Sequence, residues 1–147
     1  MMKNYLFFLI FILSSCYHST KINSTNSKVK IISLEKTACF GTCPVFHIEI
    51  YNNGFATYNG KKFVTIKGLR NLEISKNDIS KILKKAKEID FQNLKNEYTE
   101  NITDLPTTYI MVKNKKIKDY FGAPEELKEL EKMIEDIILN KLKITSF

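Results

Sequence analysis

The chain has 147 residues, 44% of them hydrophobic and 27% charged, which is enough for one folded domain but not for two hydrophobic cores. Its formal net charge of +7 is scattered among lysine and glutamate residues rather than gathered in one block. We therefore expect a single domain and no nucleic-acid partner.

The N-terminus has the order of an export signal. Lys3 precedes an apolar run over residues 5–13, which is too short for a membrane-spanning helix of about 20 residues. Leu-Ser-Ser then leads directly to Cys16, an order that resembles the lipobox of bacterial lipoproteins. This resemblance implies that residues 1–15 are a signal peptide and that Cys16 becomes the lipidated N-terminus, which anchors the protein to a membrane.

Residues 16–28 are polar, rich in serine, threonine and asparagine, and without periodicity, which predicts a flexible tether after the lipidated cysteine. No acidic residue directly follows Cys16, so nothing there indicates export to the cell surface. We expect the protein to lie in the cell envelope, on the periplasmic side of the outer membrane. Residues 29–142 then form the single domain.

Two cysteines remain once Cys16 is set aside. In an oxidising compartment Cys39 and Cys43 form a disulfide by default, and Gly41 between them suits a tight turn. So small a ring stabilises by only about 2 kcal/mol, so its role is to fix a turn. The alternative is a redox-active pair, which Pro44 and the following strand disfavour because reactive dithiols usually lie at a helix N-terminus.

Alternation of apolar and polar residues predicts an antiparallel meander, because side chains of a strand alternate between the two faces of a sheet. The predicted strands cover residues 28–34, 45–51, 55–58 and 63–66. Turns are expected at residues 52–54 and at Asn59-Gly60. A helix follows: Ser75 and Asp78 resemble a capping box, and an apolar stripe begins at Ile79.

The segment from residue 90 to residue 106 is irregular and contains a long polar loop at residues 98–104. Long loops often carry function. This one offers a candidate ligand site formed by Tyr98, Glu100, Asn101 and Asp104. Glu97, Glu100 and Asp104 could supply oxygen ligands to calcium, but their spacing is not that of an EF-hand, and a solvated acidic loop is the simpler interpretation.

A second hairpin is predicted over residues 107–113 and 116–121, and Pro124 opens a final amphipathic helix. The order of strands, helix, two strands and helix predicts an α+β fold. Its sheet is mostly antiparallel, with a meander and then a second hairpin, and its two helices pack on one face.

The segment Ala-Cys-Phe-Gly-Thr-Cys-Pro-Val-Phe at residues 38–46 resembles a family of bacterial lipoproteins, mostly from Bacteroidota, that share a domain of unknown function, number 6438. Asp-Leu-Pro-Thr-Thr at residues 104–108 and Gly-Ala-Pro at 122–124 are similar to the same family's pattern. The resemblance covers most of residues 30–138 and implies a cell-envelope lipoprotein. It carries no assigned activity, so no catalytic residue is transferred.

No hydrolase motif and no set of zinc ligands stands out in the sequence, and we expect neither a metal nor a cofactor. The sequence therefore favours a non-catalytic, lipid-anchored domain that binds an envelope protein, a peptide or an envelope polymer. The alternative is an envelope thiol-disulfide redox protein that uses Cys39 and Cys43.

Overall fold

The computed structural model describes residues 27–145. The predicted signal peptide over residues 1–15, the proposed lipidation site Cys16 and most of the predicted tether lie outside the described residues. Within the described part of the chain, no helix is both long enough and apolar enough to cross a membrane.

Seven strands form one sheet, and the first four follow one another as a meander. These four are β1 Lys30–Lys36, β2 Val45–Tyr51, β3 Phe55–Lys62 and β4 Gly68–Glu73. Later in the chain come β5 Glu97–Tyr98, β6 Thr108–Val112 and β7 Lys115–Asp119. The order across the sheet is β4-β3-β2-β1-β6-β7-β5, and every neighbouring pair is antiparallel except β5 with β7. The predicted mostly antiparallel sheet is confirmed.

Two helices, α1 Lys76–Glu88 and α2 Glu125–Thr145, complete the fold. α1 begins where the sequence predicts it, because the hydroxyl oxygen of Ser75 accepts a hydrogen bond from the backbone N–H of Asp78 at 3.0 Å. Such a cap contributes about 1 kcal/mol to helix stability. α2 begins directly after Pro124, with two glutamates in its first turn.

The core lies between the two helices and one face of the sheet. Alternate strand residues point into it, so that Leu34, Ile48 and Tyr58 on three neighbouring strands are all buried. The helices contribute Ile79, Ile82, Ala86, Leu127, Leu130, Ile134, Ile138 and Leu142. Because a strand's side chains alternate, the other face of the sheet points away from this core, and neither α1 nor α2 covers it. The predicted α+β fold class is confirmed.

The two ends of the sheet differ in what they carry. At one end, which we call the loop end, lie the connections at residues 37–44, 63–67, 99–107 and 120–124. At the other, which we call the entry end, the chain enters β1 at Lys30, opposite Tyr51 and beside the turn between β2 and β3. A segment that precedes Lys30 therefore reaches the domain at the end opposite these four loops.

The predicted turn at Asn59-Gly60 and the predicted strand over residues 63–66 are wrong. β3 continues through both turn residues, and residues 63–66 belong to the loop between β3 and β4. Gly60 has a different reason for being a glycine: the backbone carbonyl of Ile66 and the ring of Tyr58 occupy the space that a Cβ would need. The residue marks a close approach of two backbone segments inside a strand.

We expect the substitution Gly60→Ala to lower the free energy of unfolding by about 2 kcal/mol, because its Cβ would displace the carbonyl of Ile66 or the ring of Tyr58. Gly41→Ala is the matched control, since its Cβ would meet only Sγ of Cys39, at 3.8 Å. Equilibrium unfolding in urea measures both variants. Equal stabilities for the two would contradict the packing described at Gly60.

Candidate binding site

Large apolar side chains are exposed in all four loops of the loop end. Phe40 is 91% exposed and Phe63 is 53% exposed. The group, which we call the apolar tip, consists of Phe40, Phe63, Ile102, Leu105 and Phe121. Leu69, near the start of β4, extends it, and only Val29 among the large apolar residues described is exposed at the entry end. The exposure of several large apolar residues at one end of the sheet makes this end a candidate interaction site.

Backbone pairing holds two of these loops side by side. The N–H of Thr37 donates to the carbonyl oxygen of Thr107 at 3.0 Å, and the N–H of Thr107 donates to Oγ1 of Thr37 at 3.0 Å. The two bonds continue the pairing of β1 with β6 past the last residues of the strands. The loop that contains the cysteines and the loop predicted as a ligand site are therefore neighbours at the loop end.

Cys39 and Cys43 are joined by a disulfide, with their Cα atoms 5.7 Å apart. The N–H of Gly41 donates to Sγ of Cys39 at 3.2 Å, and Phe40 lies inside the ring that the bond closes. The ring limits the conformations open to Phe40, which presents an exposed aromatic side chain on a restrained loop. Neither cysteine lies at a helix N-terminus, where the thiols of disulfide oxidoreductases commonly lie.

The second loop is held by Tyr120. Its hydroxyl donates to the carbonyl oxygen of Ile102 at 2.6 Å, and the N–H of Leu105 donates to the same hydroxyl at 3.4 Å. The backbone N–H groups of Tyr120 and Phe121 both donate to the carbonyl oxygen of Tyr98. The loop and its two apolar residues are thus fixed to the end of β7.

The residues predicted as a ligand loop take two different places. Tyr98 is half-buried in the short strand β5, where it packs against the core, whereas Glu100, Asn101 and Asp104 are exposed. Within residues 27–145 no group of three histidine, cysteine, aspartate or glutamate side chains is placed to hold a metal ion. The structure therefore joins this loop to the cysteine loop through Thr37 and Thr107, but among the described residues it does not gather the acidic side chains into a calcium site.

A polar cleft of about 470 Å³ lies between α2 and the ends of β1 and β7, on the loop-end side of the core. Asp119 and Glu131 line it, and they are the buried acidic residues of the described chain. Its other lining residues are Lys36, Lys128, Lys132, Glu135 and Asp136. We call this space the acidic cleft.

Most charges of the acidic cleft are paired within it. Nζ of Lys36 lies 2.5 Å from Oε2 of Glu135, and a second ion pair of the same length joins a lysine to an aspartate along α2. Among the described residues Asp119 and Glu131 have no ion-pair partner, and Oε1 of Glu131 is buried without a hydrogen-bond partner. A buried acceptor left in this way costs about 1–3 kcal/mol.

The pKa of Glu131 is raised to about 8; burial is the largest cause, and the nearby charge of Asp119 acts in the same direction. Lys36 and Lys128 act against the rise, and Glu135 adds to it. Burial also raises the pKa of Asp119, against the attraction of Lys128. The Glu131 carboxyl therefore carries its proton over most of the neutral range.

Neither acid is among the residues predicted from the sequence, although each interrupts an apolar pattern. Glu131 stands four residues after Leu127 and three before Ile134, which places it on the buried stripe of α2. Asp119 stands two residues after Ile117 and shares its face of β7. A carboxylate at a position that the periodicity assigns to the core is the sequence signal that identifies this cleft.

The face of the sheet that α1 and α2 leave uncovered carries a polar network. The carboxylate of Glu49 accepts hydrogen bonds from Lys30 at 2.8 Å and from the hydroxyl of Tyr51 at 2.7 Å. His47 lies between two glutamates: its Nε2 is 3.3 Å from Oε1 of Glu49, and its Nδ1 is 3.9 Å from Oε2 of Glu35. The bond from Lys30 is the main cause that lowers the pKa of Glu49 to about 2, so this carboxylate stays ionised.

Together these features define an α+β domain with a seven-stranded sheet, helices on one face and a disulfide loop at one end of the sheet. The family model named Domain of unknown function (DUF6438) matches residues 30–138, which span the whole sheet, α1 and most of α2. The chain belongs to this family. No curated protein and no solved structure matches the chain.

The raised pKa of Glu131 predicts a pH-dependent stability. Between the ordinary glutamate value, about 4.3, and about 8 the folded state keeps a proton that the unfolded state loses. The stabilisation of the folded state by this proton is therefore complete below a pH of about 4.3. It is lost as the pH rises towards about 8, by up to about 1.4 kcal/mol per pH unit.

We expect Glu131→Gln, which keeps a neutral side chain at every pH, to stabilise the protein by up to about 5 kcal/mol at pH 8 and to change it by less than about 1 kcal/mol near pH 4.5. Urea unfolding across this range measures the effect. The exposed Glu126, on the same helix, supplies the control Glu126→Gln, whose pH profile should follow that of the unsubstituted chain. Parallel profiles for all three proteins would show that Glu131 titrates normally.

Proposed function

We propose that the protein is a non-catalytic, lipid-anchored domain of the bacterial cell envelope that binds an envelope protein, a peptide or an envelope polymer through its loop end. The observation that carries this proposal is the apolar tip, whose side chains stand in four loops at one end of the sheet; among the described large apolar residues, only Val29 and Leu69 are exposed elsewhere. A surface of this kind gains free energy when a partner removes it from water.

The position of the chain entry supports the same proposal. Lys30 begins β1 at the entry end, so a tether from a lipidated Cys16 would attach the domain opposite the apolar tip. Residues 16–28 would span about 20 Å as a flexible chain, which lifts the domain away from the head groups. The loop end would then face away from the anchoring membrane, towards partners in the periplasm.

The restraints on the loops also favour binding. The disulfide limits Phe40, the hydroxyl of Tyr120 holds the carbonyl of Ile102, and the Thr37–Thr107 pair joins the two loops. A surface that is already ordered loses less conformational entropy when a partner binds. The loops are thus built to present a fixed apolar surface.

Site-specific photocross-linking of the full chain in cells of the source bacterium tests this proposal. A photoreactive amino acid at position 40 or 121 should give a discrete adduct in the membrane fraction, because both positions lie in the apolar tip. The matched control is position 84 on the exposed face of α1, which should give none. Equal adducts at all three positions, or none at any, would contradict a binding site at the loop end.

The anchor is tested in the same experiment. In the variant Cys16→Ala, the chain and its adduct should leave the membrane fraction, and incorporation of a labelled fatty acid should be lost. Retention of this variant in membranes, with labelling unchanged, would remove lipidation at Cys16 from the proposal and leave the loop-end surface as a separate question.

The second candidate is an envelope thiol-disulfide protein, which the exposed loop around Cys39 and Cys43 favours because an external thiol could reach the bond. Alkylation and intact mass of the full chain across a thiol redox buffer series measure its reduction potential. We expect a value below about −300 mV, as for a structural disulfide. A potential near −200 mV, or free thiols in protein taken from the envelope, would favour the redox function instead.

A further inference from the structure

We infer that the acidic cleft binds an alkylammonium group, held between Asp119 and Glu131. The inference rests on the proposed binding function and names the chemistry of the group that is bound. The main observation is one atom, Oε1 of Glu131, which has no hydrogen-bond partner among the described residues. Glu131 is only 6% exposed, and it lines an open cleft of about 470 Å³.

An unpartnered acceptor at such depth calls for a ligand, because native proteins satisfy nearly all buried polar groups. The same cleft places a second buried acid, Asp119, without an ion-pair partner among the described residues. Once Glu131 is ionised, the two neighbouring carboxylates offer free acceptor positions and no donor. A group with several N–H donors and a positive charge fits this requirement.

The charges of the cleft decide against other ligands. Lys36 lies 2.5 Å from Glu135, and Lys128 lies 4.0 Å from Glu125. An anion would therefore meet two buried acids, and both of these lysines already have a carboxylate beside them. A metal ion usually takes three or more protein ligands, and within the described residues no three acidic, histidine or cysteine side chains are placed for it. An ammonium group carries three donors and needs no such set.

The cleft is placed so that a partner at the loop end could reach it. Asp119 is the last residue of β7 and leads into the loop of Phe121, and Lys36 is the last residue of β1 and leads into the loop of Phe40. A chain that covers the apolar tip could therefore extend a lysine side chain into the acidic cleft. A free amine of similar size could enter in the same way.

Titration of the full chain with propylammonium chloride tests the inference, with the side-chain carboxyl ¹³C resonances of Asp119 and Glu131 as the readout. We expect saturable shifts of both resonances below about 100 mM, together with a fall in the apparent pKa of Glu131 as the cation stabilises its ionised form. Tetramethylammonium, which has the charge but no N–H donor, should bind at least about tenfold more weakly.

Two variants separate the site from general charge effects. Asp119→Asn and Glu131→Gln should each weaken propylammonium binding about tenfold or more, and Glu126→Gln, which removes an exposed charge from the same helix, should leave it unchanged. An amide spectrum of each variant checks its fold. Shifts that do not saturate in the unsubstituted chain, or equal affinity in all three variants, would overturn the inference.

A short peptide with one lysine between two phenylalanines distinguishes the sources of the amine. Binding more than about tenfold tighter than propylammonium, lost when norleucine replaces the lysine and weakened by Phe40→Ser, identifies a partner's side chain. Affinity equal to that of propylammonium identifies a free amine. Saturable amine binding in a chain that gives no cross-links at positions 40 and 121 would leave this inference standing and refute only the loop-end surface.

Discussion

β1 is paired on both sides, with β2 and with β6, and the rest of the domain depends on that position. Leu34 stands opposite Ile48 on one side and Ile110 on the other, and all three are buried. A slip of one residue would turn these side chains to the uncovered face, so burial fixes the register on both sides. The Thr37–Thr107 bonds carry that register into the loop end, which is why two distant loops form one surface.

The acidic cleft lies where the apolar core gives way to this surface. Glu131 lies on the buried face of α2, between the apolar residues Leu127 and Ile134. Asp119 lies on the buried face of β7, two residues after Ile117. Apolar residues at both positions would remove the desolvation cost of two acids. Residues that break the local pattern without a structural partner are found most often at functional sites, where stability is given up for binding.

Local patterns account for most of the fold that the sequence predicts. Alternation identifies β2, and the Ser75 capping box identifies the start of α1, because both depend only on neighbouring residues. The failure at Gly60 has the opposite origin, since the reason for that glycine is the carbonyl of Ile66 folded back over the strand. The candidate site is less predictable still. Phe40 is exposed, and its loop lies beside the 99–107 loop because Thr37 pairs with Thr107, a long-range contact that no local pattern contains.

The restraints on the loops favour one of two interpretations of the apolar tip. Exposed aromatic side chains on loose loops would be a liability, because a mobile apolar surface associates without selectivity. Here two of the four loops are held by contacts of their own: the disulfide restrains the loop of Phe40, and Tyr120 fixes the loop of Ile102. Such contacts add little to the stability of the core, since they lie outside it. Their effect is to preserve the shape of a surface, which is a requirement of selective binding.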